Sequence, residues 1–232
     1  MRVMRKKKKN VRVGAAVASL TLQADDSGSM RFEEHGLRIK AMRTFMKGIA
    51  KISCLFDPDG VAIRFLNHSE KFDSVTQEAT IDRIVSRVSF SGGTQIGTQL
   101  KKKIIDPLVV KPAQAGRLKK PVLVIIVTDG EPTGEDPGAL KSTILYAMHA
   151  LNKTDYTDAA VAFQIAQVGN DRHARAFIRG LDKDAEVGHH FGNVAEEGIE
   201  RLEAKAADED FDHDLWLVKM MVGAVDKTDL GF

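Results

Sequence analysis

Pro121-Val122-Leu123-Val124-Ile125-Ile126-Val127-Thr128-Asp129-Gly130 is the stretch on which the fold turns. Six apolar residues, Val122 to Val127, follow one another before the chain becomes polar and carries a glycine. A half-exposed strand alternates, so an unbroken run suits a strand covered on both faces, as in a parallel sheet. Upstream, Ser19–Ala24 and Val61–Leu66 read as strands, and Glu70–Val75 as a short one; downstream, Val161–Val168 reads as another. Segments of helical period lie between them. Leu37, Ala41, Phe45, Ile49 and Ile52 form an apolar stripe, with Arg38, Arg43, Lys47 and Lys51 between them. Asp57-Pro58-Asp59-Gly60 ends that helix. Further helices are expected over Glu78–Val88, Thr98–Leu108 (stopped around Pro107 and Pro112), Ala139–Leu151 and Arg172–Leu181. Leu215, Val218, Val222 and Val225 suggest a last helix from about Glu196, with Trp216 packed on the sheet. Strands and helices in this rhythm predict a doubly wound α/β domain, a mostly parallel sheet flanked by helices.

Composition narrows the class. The chain has 232 residues, 43% apolar and 28% charged, enough to build a core and too apolar for intrinsic disorder. Its longest purely apolar run is far short of the roughly 20 residues of a membrane-spanning helix. One cysteine, Cys54, excludes an internal disulfide and a multi-cysteine zinc site; it reads as a small buried residue of the first helix. The net charge of +2 hides an asymmetry: Arg2, Arg5 and Lys6–Lys9 are unopposed, and without them 28 bases face 32 acids, a net of −4. We therefore expect a basic tail over residues 1–12, solvated and mobile, and a single domain over residues 13–232. The tail is the one stretch suited to nucleic acid or a membrane surface. Val13–Leu22, within which Ala16-Val17-Ala18 could pass for a cleavage site, also has the look of a secretory leader. The strand reading is preferred, because Asp25-Asp26-Ser27-Gly28-Ser29 needs a strand in front of it.

In a doubly wound sheet, ligands bind beyond the carboxyl ends of the strands where the connections reverse direction. Three loops there carry chemistry. Asp25, Ser27 and Ser29 follow the first strand as Asp-x-Ser-x-Ser. Thr128-Asp129-Gly130 follows the apolar strand, and Ser91-Gly92-Gly93-Thr94 precedes the Thr98 helix. Two carboxylates and three hydroxyls make a set of hard oxygen donors, suited to Mg²⁺, and to Mn²⁺ or Ca²⁺, rather than to zinc or copper. With so few charged donors the ion keeps positive charge, and an incoming carboxylate has a place to bind. Gly28, Gly92, Gly93 and Gly130 permit tight loops around it.

Asp25-Asp26-Ser27-Gly28-Ser29-Met30, Thr94 and Thr128-Asp129-Gly130, in this order, resemble the metal-ion-dependent adhesion site of von Willebrand factor A domains, over about residues 15–225. The wording Asp-Asp-Ser-Gly-Ser-Met and Thr-Asp-Gly-Glu-Pro-Thr resembles a stand-alone, intracellular branch of that family. The resemblance implies a Rossmann-like, cytoplasmic protein, not an enzyme, that uses a divalent cation to grip an Asp or Glu side chain of a partner protein. It implies Ser27, Ser29 and Thr94 as direct or switchable ligands, and Asp25 and Asp129 as ligands directly or through water. Asp26, Gly28, Gly93, Gly130 and Glu131 would stand around them. The departure is the first strand, Ser19-Leu20-Thr21-Leu22-Gln23-Ala24, which is polar for a central one and leaves its register open.

Two rivals belong to other classes. A Mg²⁺-dependent hydrolase or nucleotide-binding enzyme is suggested by Gly92-Gly93-Thr94-Gln95-Ile96-Gly97-Thr98, close to a phosphate-binding loop. Thr98 stands where the loop's lysine is needed, and Ser27 where a dehalogenase-type phosphatase needs an aspartate. A scaffold domain would instead use its C-terminal segment, acidic Asp208–Asp214 followed by Leu215-Trp216-Leu217. His173, His189-His190 and His213 lack a metal-site spacing and read as surface histidines.

Overall fold

The computed structural model describes residues 18–191 and Leu217. The basic tail, residues 13–17, Asp208–Asp214, His213 and Trp216 lie outside the described residues.

Five strands, β1 (Ser19–Ala24), β2 (Val61–Phe65), β3 (Phe72–Val75), β4 (Val122–Thr128) and β5 (Val161–Gln167), form one sheet in the order β3-β2-β1-β4-β5. The pairs β1–β2, β1–β4 and β4–β5 are parallel, and β3 closes one edge antiparallel to β2. The helices are α1 (Gly28–Phe32), α2 (Leu37–Phe56), α3 (Glu78–Arg87), α4 (Ile96–Leu100), α5 (Lys111–Gln114), α6 (Ala139–Asn152) and α7 (Arg172–Asp182). This is the doubly wound α/β architecture expected from the alternation.

The apolar run in β4 is buried on both sides, as its lack of alternation requires. Leu123, Ile125 and Val127 join the cluster under α2 and α3, which also takes in Leu217. Val122, Val124 and Ile126 join the cluster under α4 and α6. Successive strand side chains point to opposite faces, so one strand feeds two cores.

The first strand is central despite its polarity. Gln23, 1% exposed, donates from Nε2 to the Ile96 carbonyl at 3.1 Å. The polar side chain that left the register open thus ties β1 to the start of α4.

Two local expectations fail. The helix after Thr94 begins at Ile96 and does not stop at Pro107: Lys101–Val110 continues as a π-helix through that proline into α5. Proline interrupts an α-helix by removing an N–H and crowding the preceding turn; the wider π register carries the chain past it. Burial of Ile104, Ile105, Val109 and Val110 holds the segment on the sheet. Cys54 is half-buried rather than core, and its single thiol proton has the Ala50 and Thr76 carbonyls within reach as acceptors.

Gly97 sets how closely α4 and α6 approach. A Cβ there would lie 2.3 Å from the Leu140 backbone nitrogen. Gly97→Ala must push the two helices apart and is expected to cost about 1–3 kcal/mol as over-packing. Thermal unfolding reads this as a lower Tm; an unchanged Tm refutes the close approach.

Candidate functional site

The chain reverses direction between β1 and β4, the neighbours from which connections run to opposite edges of the sheet. Beyond their carboxyl ends lies a cleft of about 290 Å³ lined by Ser27, Ser29, Thr94 and Asp129 among others. Its floor is a chain of oxygens. Ser27 Oγ and Ser29 Oγ are 3.0 Å apart, and Ser29 Oγ donates to Asp129 Oδ1 at 3.0 Å.

Asp25 lies beneath this chain, fully buried. Its Oδ1 accepts from the Ser27 amide at 2.8 Å and its Oδ2 from Thr128 Oγ1 at 2.7 Å. Burial, with the Asp129 charge adding to it, nonetheless pushes the Asp25 carboxyl up to about 6. Its hydrogen bonds from Ser27 and Thr128 do not replace the lost water.

The loops are locked to one another. Gly28 N donates to the Gly92 carbonyl, and Ser91 N to the Asp26 carbonyl. Thr94 N donates to Thr133 Oγ1 and Thr133 N to the Thr94 carbonyl. Glu135 caps α4, its carboxylate accepting from Gly97 N at 2.9 Å and Thr98 N at 2.7 Å, where a negative charge also suits the positive end of the helix. Gly92 has φ +96°, and a Cβ there would lie 2.6 Å from Asn67 Oδ1. The loop bearing Thr94 therefore needs glycine at that position.

Whether these residues suit a divalent cation is testable on the oxygens themselves. Adjacent ligands of an octahedral ion with bonds of about 2.1 Å stand about 3.0 Å apart. The Ser27–Ser29 and Ser29–Asp129 spacings match that edge. Among the described residues no group of three His, Cys, Asp or Glu is poised to hold a metal, so a cation here depends on hydroxyls as well as carboxylates. Asp25, buried and near Asp129, has no cationic partner of its own here, whereas Asp129 is paired with Arg38 at 2.8 Å; a divalent ion would add positive charge beside Asp25. The donor set fits a hard divalent ion.

No family model matches the chain, and no curated relative does. Among solved structures, proximal thread matrix protein 1 from the mussel byssus is similar at TM-score 0.52 and 16% identity, over 82% of this chain and 46% of its own. The pilus adhesin SpaC from Lactobacillus rhamnosus GG gives 0.51 and 14%, over 92% of this chain and 31% of its own. A von Willebrand factor type A protein from Catenulispora acidiphila gives 0.44 and 18%, over 69% of this chain and 36% of its own. With proximal thread matrix protein 1 and SpaC the chain shares its doubly wound α/β fold. At these identities the likeness concerns the fold, and the chain spans less than half the length of each of these structures.

Within this doubly wound fold the expected site residues separate into two groups. Ser27, Gly28, Ser29, Thr94, Asp129, Gly130 and the exposed Glu131 line the cleft, whereas Asp25, Asp26 and Gly93 do not. Asp26 serves the neighbouring turn rather than the cleft. It is fully buried, and its oxygens accept from Asn67 N at 2.7 Å, Asn67 Nδ2 at 3.2 Å and His68 N at 2.7 Å, so it holds the turn after β2. Lys103 completes that turn, donating from Nζ to the Phe65, Leu66 and His68 carbonyls.

Other lining residues were not among the expected site residues, although His173, read as a surface histidine, is indeed exposed. Asp171 and His173 come from the loop and helix after β5, a strand end that the same topological rule points to. Arg38 has the larger consequence. Its place in the helical pattern suggested a solvated cation between apolar positions, yet it is 4% exposed and lines the cleft. Its nearness to the Asp25–Ser29 loop, with Glu34 four residues before it, was the available signal.

Proposed function

We propose that this chain is a protein-binding module that holds one divalent cation, Mg²⁺ or Mn²⁺, at the cleft and grips an acidic side chain of a partner protein through it. The observation that carries this reading is the convergence of Ser27, Ser29, Thr94 and Asp129 from three loops on one cleft, above a buried Asp25 whose charge is poorly compensated. Ser27, Ser29 and Thr94 would supply neutral oxygens, and Asp129 a charged one. Asp25 would bind directly or through water, and meanwhile orients the Ser27 amide. Bound there, the cation supplies an electrophilic point that accepts a carboxylate oxygen. The seryl and threonyl ligands leave its charge incompletely neutralised, which favours a partner's Asp or Glu.

The fold supports a module of adhesion type: among the similar structures, one is a matrix protein and another a pilus adhesin. A partner protein is therefore the class of ligand we propose, rather than a substrate to be turned over. Among the described residues no helix is long and apolar enough to cross a membrane.

Two assays test this. Titration calorimetry with MgCl₂ and MnCl₂ on the metal-free chain is expected to show one site per chain. Co-purification from a native extract is expected to recover a partner with Mg²⁺ and to lose it with chelator; Ser27→Ala removes a ligand and should weaken capture about thirtyfold, the effect of truncating the centre of an interface. Metal-dependent phosphate release from nucleotides, without any metal-dependent partner, would instead favour a hydrolase.

A further inference from the structure

One cation is already built into the cleft. The Arg38 guanidinium, 4% exposed, donates from one terminal nitrogen to Asp129 Oδ2 at 2.8 Å. Its Nε and second terminal nitrogen donate to Glu34 Oε1 at 2.9 and 2.8 Å, and the latter nitrogen also pairs with Glu33 Oε2 at 2.7 Å. Three carboxylates therefore surround one guanidinium, and one of them is the Asp129 on which the cation site depends.

The backbone is shaped for this arrangement. Glu34 and His35 have φ of +51° and +53°, a left-handed conformation that L-residues adopt at an energetic cost. The turn they make brings Glu33 and Glu34 back onto the start of α2. On the opposite side, Gly169 after β5 has φ +76°, and a Cβ there would lie 2.6 Å from Arg38 Nε and 3.1 Å from Glu34 Oε1. Strained residues on one side and a missing side chain on the other both keep a positive charge against Asp129.

We propose that Arg38 is an internal competitor for the divalent cation: by neutralising Asp129 it sets the metal affinity of the site, and the Glu33–Glu34 turn is the brace that determines how firmly it stays. The inference rests on the reading above that the site takes a divalent cation. Two positive centres sharing one buried carboxylate repel in a medium where charge is weakly screened. A metal ion must therefore share Asp129 with the guanidinium or displace it. Arg38 is in this sense a positioning residue for Asp129.

The test is titration calorimetry with MgCl₂ on the full chain, comparing wild type with Arg38→Gln, Arg38→Lys and Glu34→Gln, alongside metal-free melting curves. Arg38→Gln is expected to bind Mg²⁺ at least about tenfold more tightly while its metal-free form melts at a lower temperature, because Asp129 has lost its partner. Arg38→Lys, which keeps the charge, stays near wild type. Glu34→Gln loosens the brace and raises affinity by a smaller factor. A merely structural role for Arg38 predicts that stability and affinity fall together. Unchanged or weaker Mg²⁺ binding in folded Arg38→Gln overturns the competitor while leaving the metal site standing. If Arg38→Gln does not fold, Glu34→Gln decides in the same way. Absence of binding heat in all four proteins overturns the metal site itself, and the competitor with it.

Discussion

Asp129→Ala is expected to abolish divalent-cation binding and to lower the stability of the metal-free protein by about 3 kcal/mol. The two effects have separate causes. The first follows from removing a charged oxygen that Ser29 Oγ orients at 3.0 Å. The second follows from leaving Arg38, 4% exposed, without the partner that accepts from it at 2.8 Å. Breaking a buried ion pair from one side costs about 3–5 kcal/mol, since an uncompensated charge stays behind. Here the lower end applies, because Glu33 and Glu34 still hold the guanidinium. At roughly 2–4 °C per kcal/mol for a chain of this size, the metal-free melting temperature should fall by roughly 6–12 °C. Asp129→Asn keeps an acceptor for one of the two donors and should lose the metal with a smaller fall. Retention of Mg²⁺ binding by Asp129→Ala refutes the site assignment. An unchanged melting temperature refutes the account of the Arg38 pair.

The second large effect concerns pH. Asp25 in the metal-free fold is pushed up to about 6, by burial first and by Asp129 second. An acid whose folded value is raised binds its proton more tightly when folded than when unfolded. Its contribution is therefore fully present below the unfolded value near 4 and is lost as pH rises through about 6. A shift of about two units corresponds to roughly 3 kcal/mol at about 1.4 kcal/mol per unit. Metal-free protein should thus gain stability from pH 7 down towards pH 5, until other carboxylates titrate. Asp26 is also raised by burial, so Asp25→Asn is needed to isolate the effect. That variant should flatten the profile between pH 4 and pH 6 and be more stable than wild type near neutrality. Its gain should be partial: Ser27 N and Thr128 Oγ1 both donate to the carboxylate, and an amide offers only one acceptor oxygen. Saturating Mg²⁺ favours the ionised carboxylate, so its stabilising effect should be greater at pH 7.5 than at pH 5. Chemical denaturation across this range, with and without the ion, reads all three results. A wild-type profile that is flat between pH 4 and pH 6 contradicts the buried, uncompensated Asp25.

By itself the sequence determined the layered α/β architecture and the order of its elements. Those features are written in local periodicity: the unbroken apolar run of β4, the stripe of α2, and the Asp57-Pro58-Asp59-Gly60 stop. Each is enforced by burial of nearby residues on a repeating backbone. The convergence of Ser27, Ser29, Thr94 and Asp129 on one cleft was legible for a related reason. The sheet delivers whatever follows a strand to one edge, and the ends of β1 and β4 can be located from the strands alone. What only the tertiary structure decided was the charge environment of those residues. Arg38 occupies a position that helical spacing assigns to solvent. Its burial depends on Gly169 after β5 and on the left-handed turn at Glu34 and His35, neither of which periodicity records. The depth of Asp25, the use of Asp26 as an anchor for Asn67 and His68, and the passage of a helix through Pro107 share that origin. Each is set by contacts between residues far apart in the chain, where packing overrides local preference and distance in space replaces distance in sequence.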